Sequence, residues 1–199
     1  MAADSYDGQR ESARASGRFA AQAADSPPDE QVEASLRWAA KDLWPTEDTQ
    51  ESLTARLAVA ERRAEAVAQK LVADQGRATI RQAVERDRSA VAYARAAALG
   101  GCSFCKLMAS RGAVYKNART AGQEANERFA GNASVVKFHD HCHCTIIPVF
   151  RGQQFQLSPH AAEWDRLYRE YAQGHSGDQL RLFRRALAEH DRHPLPAAH

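Results

Sequence analysis

Residues 77–101, RATIRQAVERDRSAVAYARAAALGG, mark the point where this chain changes character. The run is rich in alanine and arginine and reads as helix, and the glycine pair Gly100-Gly101 supplies a helix stop. Everything before it then reads as helical too. In DEQVEASLRWAAKDLWP (29–45), Val32, Leu36, Ala39 and Leu43 fall on one helix face, with Asp29 placed to cap the start and Pro45 beyond the end. The next run is the most regular: Leu53, Leu57, Ala60, Ala64, Val67 and Leu71 alternate steps of four and three. Glu61, Arg62, Arg63, Glu65 and Lys70 occupy other positions, as on a solvated face, and Gly76 is expected to break or bend the helix. The reading over 29–99 is an up-and-down helical bundle seamed with alanine and leucine. Residues 1–28 are small and polar and end in Ser-Pro-Pro, which predicts a flexible N-terminal arm with a short helix near Arg18–Ala24.

Beyond Gly101 the pattern shortens. GAVYK (112–116), SVVKF (134–138) and CTIIPVF (144–150) are β-branched or aromatic runs that read as strands, and Pro148 assigns the last of them to a sheet edge. NARTAGQEANERFAGN (117–132) reads as loop with one helical turn. Helices resume at Ser158-Pro159, with Trp164, Leu167, Tyr168 and Tyr171 as one stripe, and again with Leu180, Phe183 and Leu187. The expected fold class is mainly α (α+β). It comprises the arm (1–28), the bundle (29–99), a small β-containing Cys/His segment (100–152), C-terminal helices (153–190) and a tail (191–199).

Composition narrows the function classes. The 199 residues carry 27 Lys and Arg against 25 Asp and Glu, a formal charge of +2, which argues against a protein whose main task is coating nucleic acid. No apolar run reaches the roughly 18 residues that span a bilayer. The first residues lack an apolar block behind a basic start, so no secretory signal is read there. The expected compartment is the reducing cytosol, where paired cysteines more often mean metal or catalysis than disulfides.

All four cysteines and three of the eight histidines lie in GGCSFCKLMASRG (100–112) and FHDHCHC (138–144). Cys102 and Cys105 have C-x-x-C spacing, which lets two thiolates face one ion. His139, Cys142 and Cys144 form H-x-x-C-x-C, with His141 and His143 as further imidazoles. Zinc takes four sulfur or nitrogen ligands in a tetrahedron, and a pair from each cluster satisfies that count. Cys144 comes first for the second pair, followed by Cys142 or His139, and the spacing leaves that choice open. With every position filled by protein the ion would be structural, stapling short strands that cannot hold themselves.

Other readings of the same residues are buried apolar cysteines, disulfides in an exported protein, or a redox C-x-x-C. The redox pair calls for a preceding strand, whereas this one follows a segment read as helix. An HNH nuclease would need a downstream Asn and His that CTIIPVFRGQQF does not supply in order. Ser110, Ser134 and Ser158 have no nucleophile motif around them. His190, His193 and His199 read as solvated. A zinc-knuckle DNA binder would draw on Arg111, Lys116, Arg119 and Lys137, cations that otherwise read as a solvated face.

CSFCKLMASRGAVY followed by FHDHCHCTIIPVF resembles the minor head proteins of tailed phages related to the phage Mu F protein, the head morphogenesis proteins. The positions carrying it are Cys102, Cys105, His139, Cys142, Cys144, Thr145 and Pro148, while LRWAAKDLWP (36–45) and WDRLYREY (164–171) look closer still to an actinobacteriophage branch. His141 and His143 depart from that pattern. The resemblance implies a non-enzymatic minor capsid component near the portal, present in the virion and assembled in the host cytoplasm. Its implied partners are portal and major capsid or scaffold proteins, with phage DNA a further candidate and no membrane or small-molecule substrate. A capsid maturation protease is the enzyme alternative that the same branch implies.

Overall fold

This computed structural model describes residues 1–47, 49–115 and 144–192. Six α-helices and two strands are found among them: α1 (Ala2–Ser12), α2 (Asp29–Ala40), α3 (Leu53–Arg86), β1 (Ala90–Ala96), α4 (Ser103–Ser110), β2 (Thr145–Phe150), α5 (Pro159–Tyr171) and α6 (Gln179–Arg192). A 3-10 turn, Lys41–Leu43, extends α2. The mainly helical expectation agrees with this order.

The spine is α3. Ser52 caps its start, its Oγ accepting from the Ala55 amide at 3.2 Å. Of the break or bend expected at Gly76, the break is absent: the 34-residue helix continues through it without interruption. One glycine costs a helix only about 1 kcal/mol relative to alanine, and the packing of α1 and β2 on the same helix outweighs that. The helix stops at Asp87, whose carboxylate Oδ1 accepts from the Ser89 amide at 2.9 Å and the Ser89 hydroxyl at 2.7 Å. This local turn competes with helical continuation. Residues 87–99 are therefore not the helix read from the sequence, and Ala90–Ala96 form β1 instead. The expected bundle over 29–99 is correspondingly a two-helix hairpin, α2 against α3. Asp29 is the first residue of α2 rather than its cap, a position filled by Pro28.

β1 and β2 pair antiparallel, Ala96 opposite Thr145 and Tyr93 opposite Pro148, with Val91 bulged between Ala90 and Ala92. Tyr93 spends its own amide and carbonyl on Tyr115, at 2.6 and 3.3 Å. Pro148 therefore faces a position where no amide is required, and among the described residues β2 pairs only with β1. Of the expected strand 112–116 the structure shows a single bridge, at Tyr115. The expected strand 134–138 and the loop 117–132 lie outside the described residues, as does the tail beyond Arg192.

The N-terminal segment, read as a mobile arm, is packed. Tyr6 on α1 is fully buried, with Phe19 and Phe150 edge-on at 5.8 and 5.5 Å. Its hydroxyl donates to Asp87 Oδ2 at 3.1 Å, and Arg10 Nε reaches the same oxygen at 2.9 Å. Residues 18–24, expected as a short helix, form no helix and end against α3. There the Ala24 amide donates to Thr79 and its carbonyl accepts from Gln75. A second apolar cluster joins α4, α5 and α6 through Trp164, Leu167, Phe183 and Leu187, with Ser158 capping α5 as read.

Two outcomes follow. Gly76 has a helical backbone, and an added Cβ would meet only the Ala2 Cβ, at 3.9 Å. Gly76→Ala should therefore raise stability by roughly 0.5–1 kcal/mol, read as a higher urea midpoint. Burial opposes the charge on Asp87, but hydrogen bonds from Ser89, Arg10 and Tyr6 outweigh it and hold the carboxyl below its usual range. Stability from a depressed pKa is complete above the unfolded value of about 3.9 and is lost as pH falls through the folded one. Wild-type unfolding free energy should drop on acidification below about pH 4. Asp87→Asn should flatten that dependence and cost on the order of 3 kcal/mol at neutral pH, because Arg10 loses its buried partner.

Candidate metal centre

The turn between β1 and α4 places the first cysteine pair. Gly101 donates its amide to the Ala98 carbonyl at 2.8 Å. A Cβ on Gly101 would lie 2.8 Å from the same oxygen, so the tight turn requires glycine. The glycine pair closes a strand-to-helix turn here, not the end of a helix. Cys102 follows as the N-cap of α4, its Sγ accepting from the Cys105 amide at 3.4 Å. Cys102 is exposed.

The start of α4 is held from two sides. Arg95 of β1 lies 5.7 Å over the Phe104 ring, and Arg184 of α6 donates to the Ser103 hydroxyl at 3.3 Å. One turn into the helix, Cys105 is 1% exposed. The sheet register then fixes the second sequence segment. Thr145 pairs with Ala96 at the end of the ladder, so Cys144 lies just outside it, level with Ala97. Cys144 is 2% exposed and forms one buried cluster with Cys105, against which Ala97 packs.

Two sulfurs separated by 39 positions in the chain are thus brought together out of water. His139 and Cys142, together with His141 and His143, lie outside the described residues. Among the described residues no three His, Cys, Asp or Glu side chains gather closely enough to hold an ion. What the described residues bring together is two soft thiols, Cys105 and Cys144, one from each predicted segment, with Cys102 exposed at the start of the same helix.

Sequence reasoning missed Arg77. It falls on the same α3 stripe as Ile80 and Val84, and a cation on an apolar stripe is the signal that marks it. Its side chain is 5% exposed, and its Nε donates to the Cys144 carbonyl at 2.8 Å. Asp74 holds the guanidinium at 2.6 Å, and Lys70 holds Asp74 at 2.5 Å. A groove of about 370 Å³ opens beside these groups, walled by the start of α1, the middle of α3 and the first residues of β2.

Residues 1–172 match the VG15 protein family. The chain belongs to this family, which is phage-associated. No curated protein and no solved structure matches it. The VG15 span runs from α1 to the end of α5 and contains every cysteine of the chain. No helix among the described residues is long and apolar enough to cross a membrane.

The geometry separates two roles for the cysteines. Serine caps a helix at least as well as the Cys102 thiol does. Cys102→Ser should therefore keep wild-type stability in chelator, and should lose any stabilisation by added zinc that the expected metal site gives the wild type. Cys144→Ser should cost about 1–3 kcal/mol even in chelator, because it buries a hydroxyl in an apolar pair. Thermal melts with and without zinc check both.

Proposed function

We propose that this VG15 chain is a minor head protein of a tailed phage, a structural and interaction component near the portal rather than an enzyme. In this reading a structural zinc ion joins the start of α4 to the residues leading into β2. Cys102, Cys105 and Cys144 are its candidate ligands, with His139 or Cys142 completing the set. The ion would supply folding energy and a fixed geometry, with no open position for catalysis.

The observation that supports an interaction role is the α2–α3 hairpin. It leaves Leu36, Trp38, Trp44, Leu53 and Leu57 each 45% or more exposed, whereas isolated exposed apolar residues are the norm on a monomer surface. Trp38 is flanked by Lys41 and Arg63, 5.8 and 5.5 Å from its ring, so the site combines aromatic surface with cations. Aromatic residues and arginine are the side chains that dominate protein interfaces. Portal, major capsid and scaffold proteins are the partners this reading assigns, and the head of the virion is the location.

A second reading, thiol exchange at Cys102 and Cys105, gains from one observation. The segment before the C-x-x-C is a strand, and the first cysteine caps the helix that follows. The ground on which the sequence set it aside, a preceding helix, does not hold. About one zinc per chain in protein purified without added metal favours the staple; a metal-free Cys102–Cys105 disulfide favours exchange.

The head reading is tested in virions. Trp38→Ala with Trp44→Ala should leave folding nearly intact yet cut the amount of this protein in intact particles at least tenfold, measured by quantitative mass spectrometry. Wild-type protein absent from purified particles would end the proposal.

A further inference from the structure

One end of the molecule gathers arginines from three separate parts of the chain. Arg86 closes α3 and Arg88 follows in the turn, Arg151 leaves β2, and Arg14 and Arg18 lie just after α1. All five are exposed. Asp87 is the group that joins them. Its Oδ1 holds Ser89, whose carbonyl accepts from the Arg151 amide at 2.8 Å, so Arg151 sits beside the turn that carries Arg88. Its Oδ2 holds Arg10, whose Nη2 donates to the Ser16 and Gly17 carbonyls at 2.6 and 2.8 Å. Those bonds draw the chain between Arg14 and Arg18 to the same place. Arg86 lines a small hollow with Phe19 and Gln22, adjoining Arg18.

Exposed arginines elsewhere are paired along their own helices: Arg37 with Glu33, Arg169 with Asp165 and Arg181 with Asp178. At this end Asp87 is taken up by Arg10, Tyr6 and Ser89, and Asp7 accepts from the Ala21 amide at 2.9 Å. Among the described residues, neither Glu11 nor Glu85 forms an ion pair with any of the five arginines. Like charges gathered in this way repel one another, and an anion laid over them relieves the cost.

The form of the patch selects the anion. The hollow beside Arg86 takes in none of the other four arginines, so one small anion bound there would leave them unanswered. A protein partner is expected to meet exposed aromatic or apolar side chains at the centre of its contact. Here Tyr6 and Phe150 are fully buried and Phe19 is half-buried, leaving Val91, 38% exposed, as the large apolar side chain in the open. Single-stranded nucleic acid calls for rings on which bases can stack, and the same burial withdraws them. A duplex backbone needs only spaced cations, and guanidinium offers phosphate two parallel N–H donors.

We propose that the end formed by Arg14, Arg18, Arg86, Arg88 and Arg151 binds the phosphate backbone of double-stranded nucleic acid without reading its sequence. The site is separate from the cysteines and from the α2–α3 hairpin, and it stands or falls independently of both. A formal charge of +2 argues against coating long nucleic acid, but a local contact of this size asks only for a concentrated patch.

The test titrates the full chain against fluorescent random-sequence duplexes of DNA and of RNA, reading anisotropy at several salt concentrations. Wild type should bind at least one of them, with log affinity falling by about 0.9 per unit of log salt for each phosphate met, a slope of about −4 to −5 for the whole patch. Arg86→Gln with Arg88→Gln and Arg151→Gln should make that slope shallower by about three and weaken binding about tenfold or more. A control removes the same charge elsewhere: Arg37→Gln with Arg169→Gln and Arg181→Gln should change affinity by less than about threefold. If the patch triple does not fold, Arg14→Gln with Arg18→Gln reaches the site from another segment and should make the slope shallower by about two. Three results overturn the proposal. One is no binding of either duplex at about 50 mM salt. Another is a control triple as damaging as the patch variants, which reduces the effect to net charge. The third is polyglutamate competing as well as a duplex of equal charge, which assigns the patch to an acidic protein.

Discussion

The pairing of Ala96 with Thr145 is the constraint on which the site depends. It brings two segments far apart in sequence into one ladder and ends that ladder where the cysteines begin. On one side the chain leaves β1, turns at Gly101 and caps α4 with Cys102; on the other, Cys144 arrives immediately before β2. Side chains alternate faces along a strand, so a slip of one residue would turn Cys144 away from Cys105. An isolated two-stranded sheet is marginal in water. What secures this register lies outside it: Ile146 and Phe150 pack with Tyr6, Ile80 and Val84, and Arg77 fastens the Cys144 carbonyl. The bulge at Val91 absorbs the mismatch at the far end and leaves the cysteine end regular.

The parts of this fold that were legible in sequence are those governed by local rules. The α2 and α3 stripes, the Ser158-Pro159 helix start and the edge placement of Pro148 each need only neighbouring residues to be understood. β1 was misread because alanine favours helix, and tertiary pairing overrode that propensity. Its signal was present all the same: AVAYARA alternates alanine with Val91, Tyr93 and Arg95, the two-residue period of a strand. The stop before it was also written locally, in the Asp87–Ser89 turn.

Other features could not be read locally at any level of care. The N-terminal segment looks too polar to fold, and in isolation its composition supports that. What fixes it is Asp87, about 80 residues away, a distance that local pattern rules do not reach. Cysteine clustering pointed to a meeting of the two segments, and Cys105 and Cys144 do meet. Arg77, whose Nε donates to the Cys144 carbonyl, reaches that residue from the middle of α3, across 67 positions of sequence that local patterns do not span.

Stability is distributed unevenly along α3, and that bears on why the hairpin keeps its aromatic residues. Toward Arg86 the helix is flanked by α1, both strands and the segment at Ala24, and it buries Thr79, Ile80, Ala83 and Val84. Toward Leu53, among the described elements, α2 and its 3-10 extension lie against it, and the buried apolar side chains there are small: Ala39, Ala60 and Ala66. A half-exposed tryptophan contributes far less to folding than a buried one, since the gain scales with apolar area removed from water. Trp38 and Trp44 are therefore poor investments if the isolated chain is the only state that counts. Both become useful if a second surface covers them, because aromatic rings then give large contact area with few torsions to immobilise. The Leu53 end of α3, together with α2, therefore carries Leu36, Trp38, Trp44, Leu53 and Leu57 in the open, and this is the surface that the proposed head role assigns to a partner.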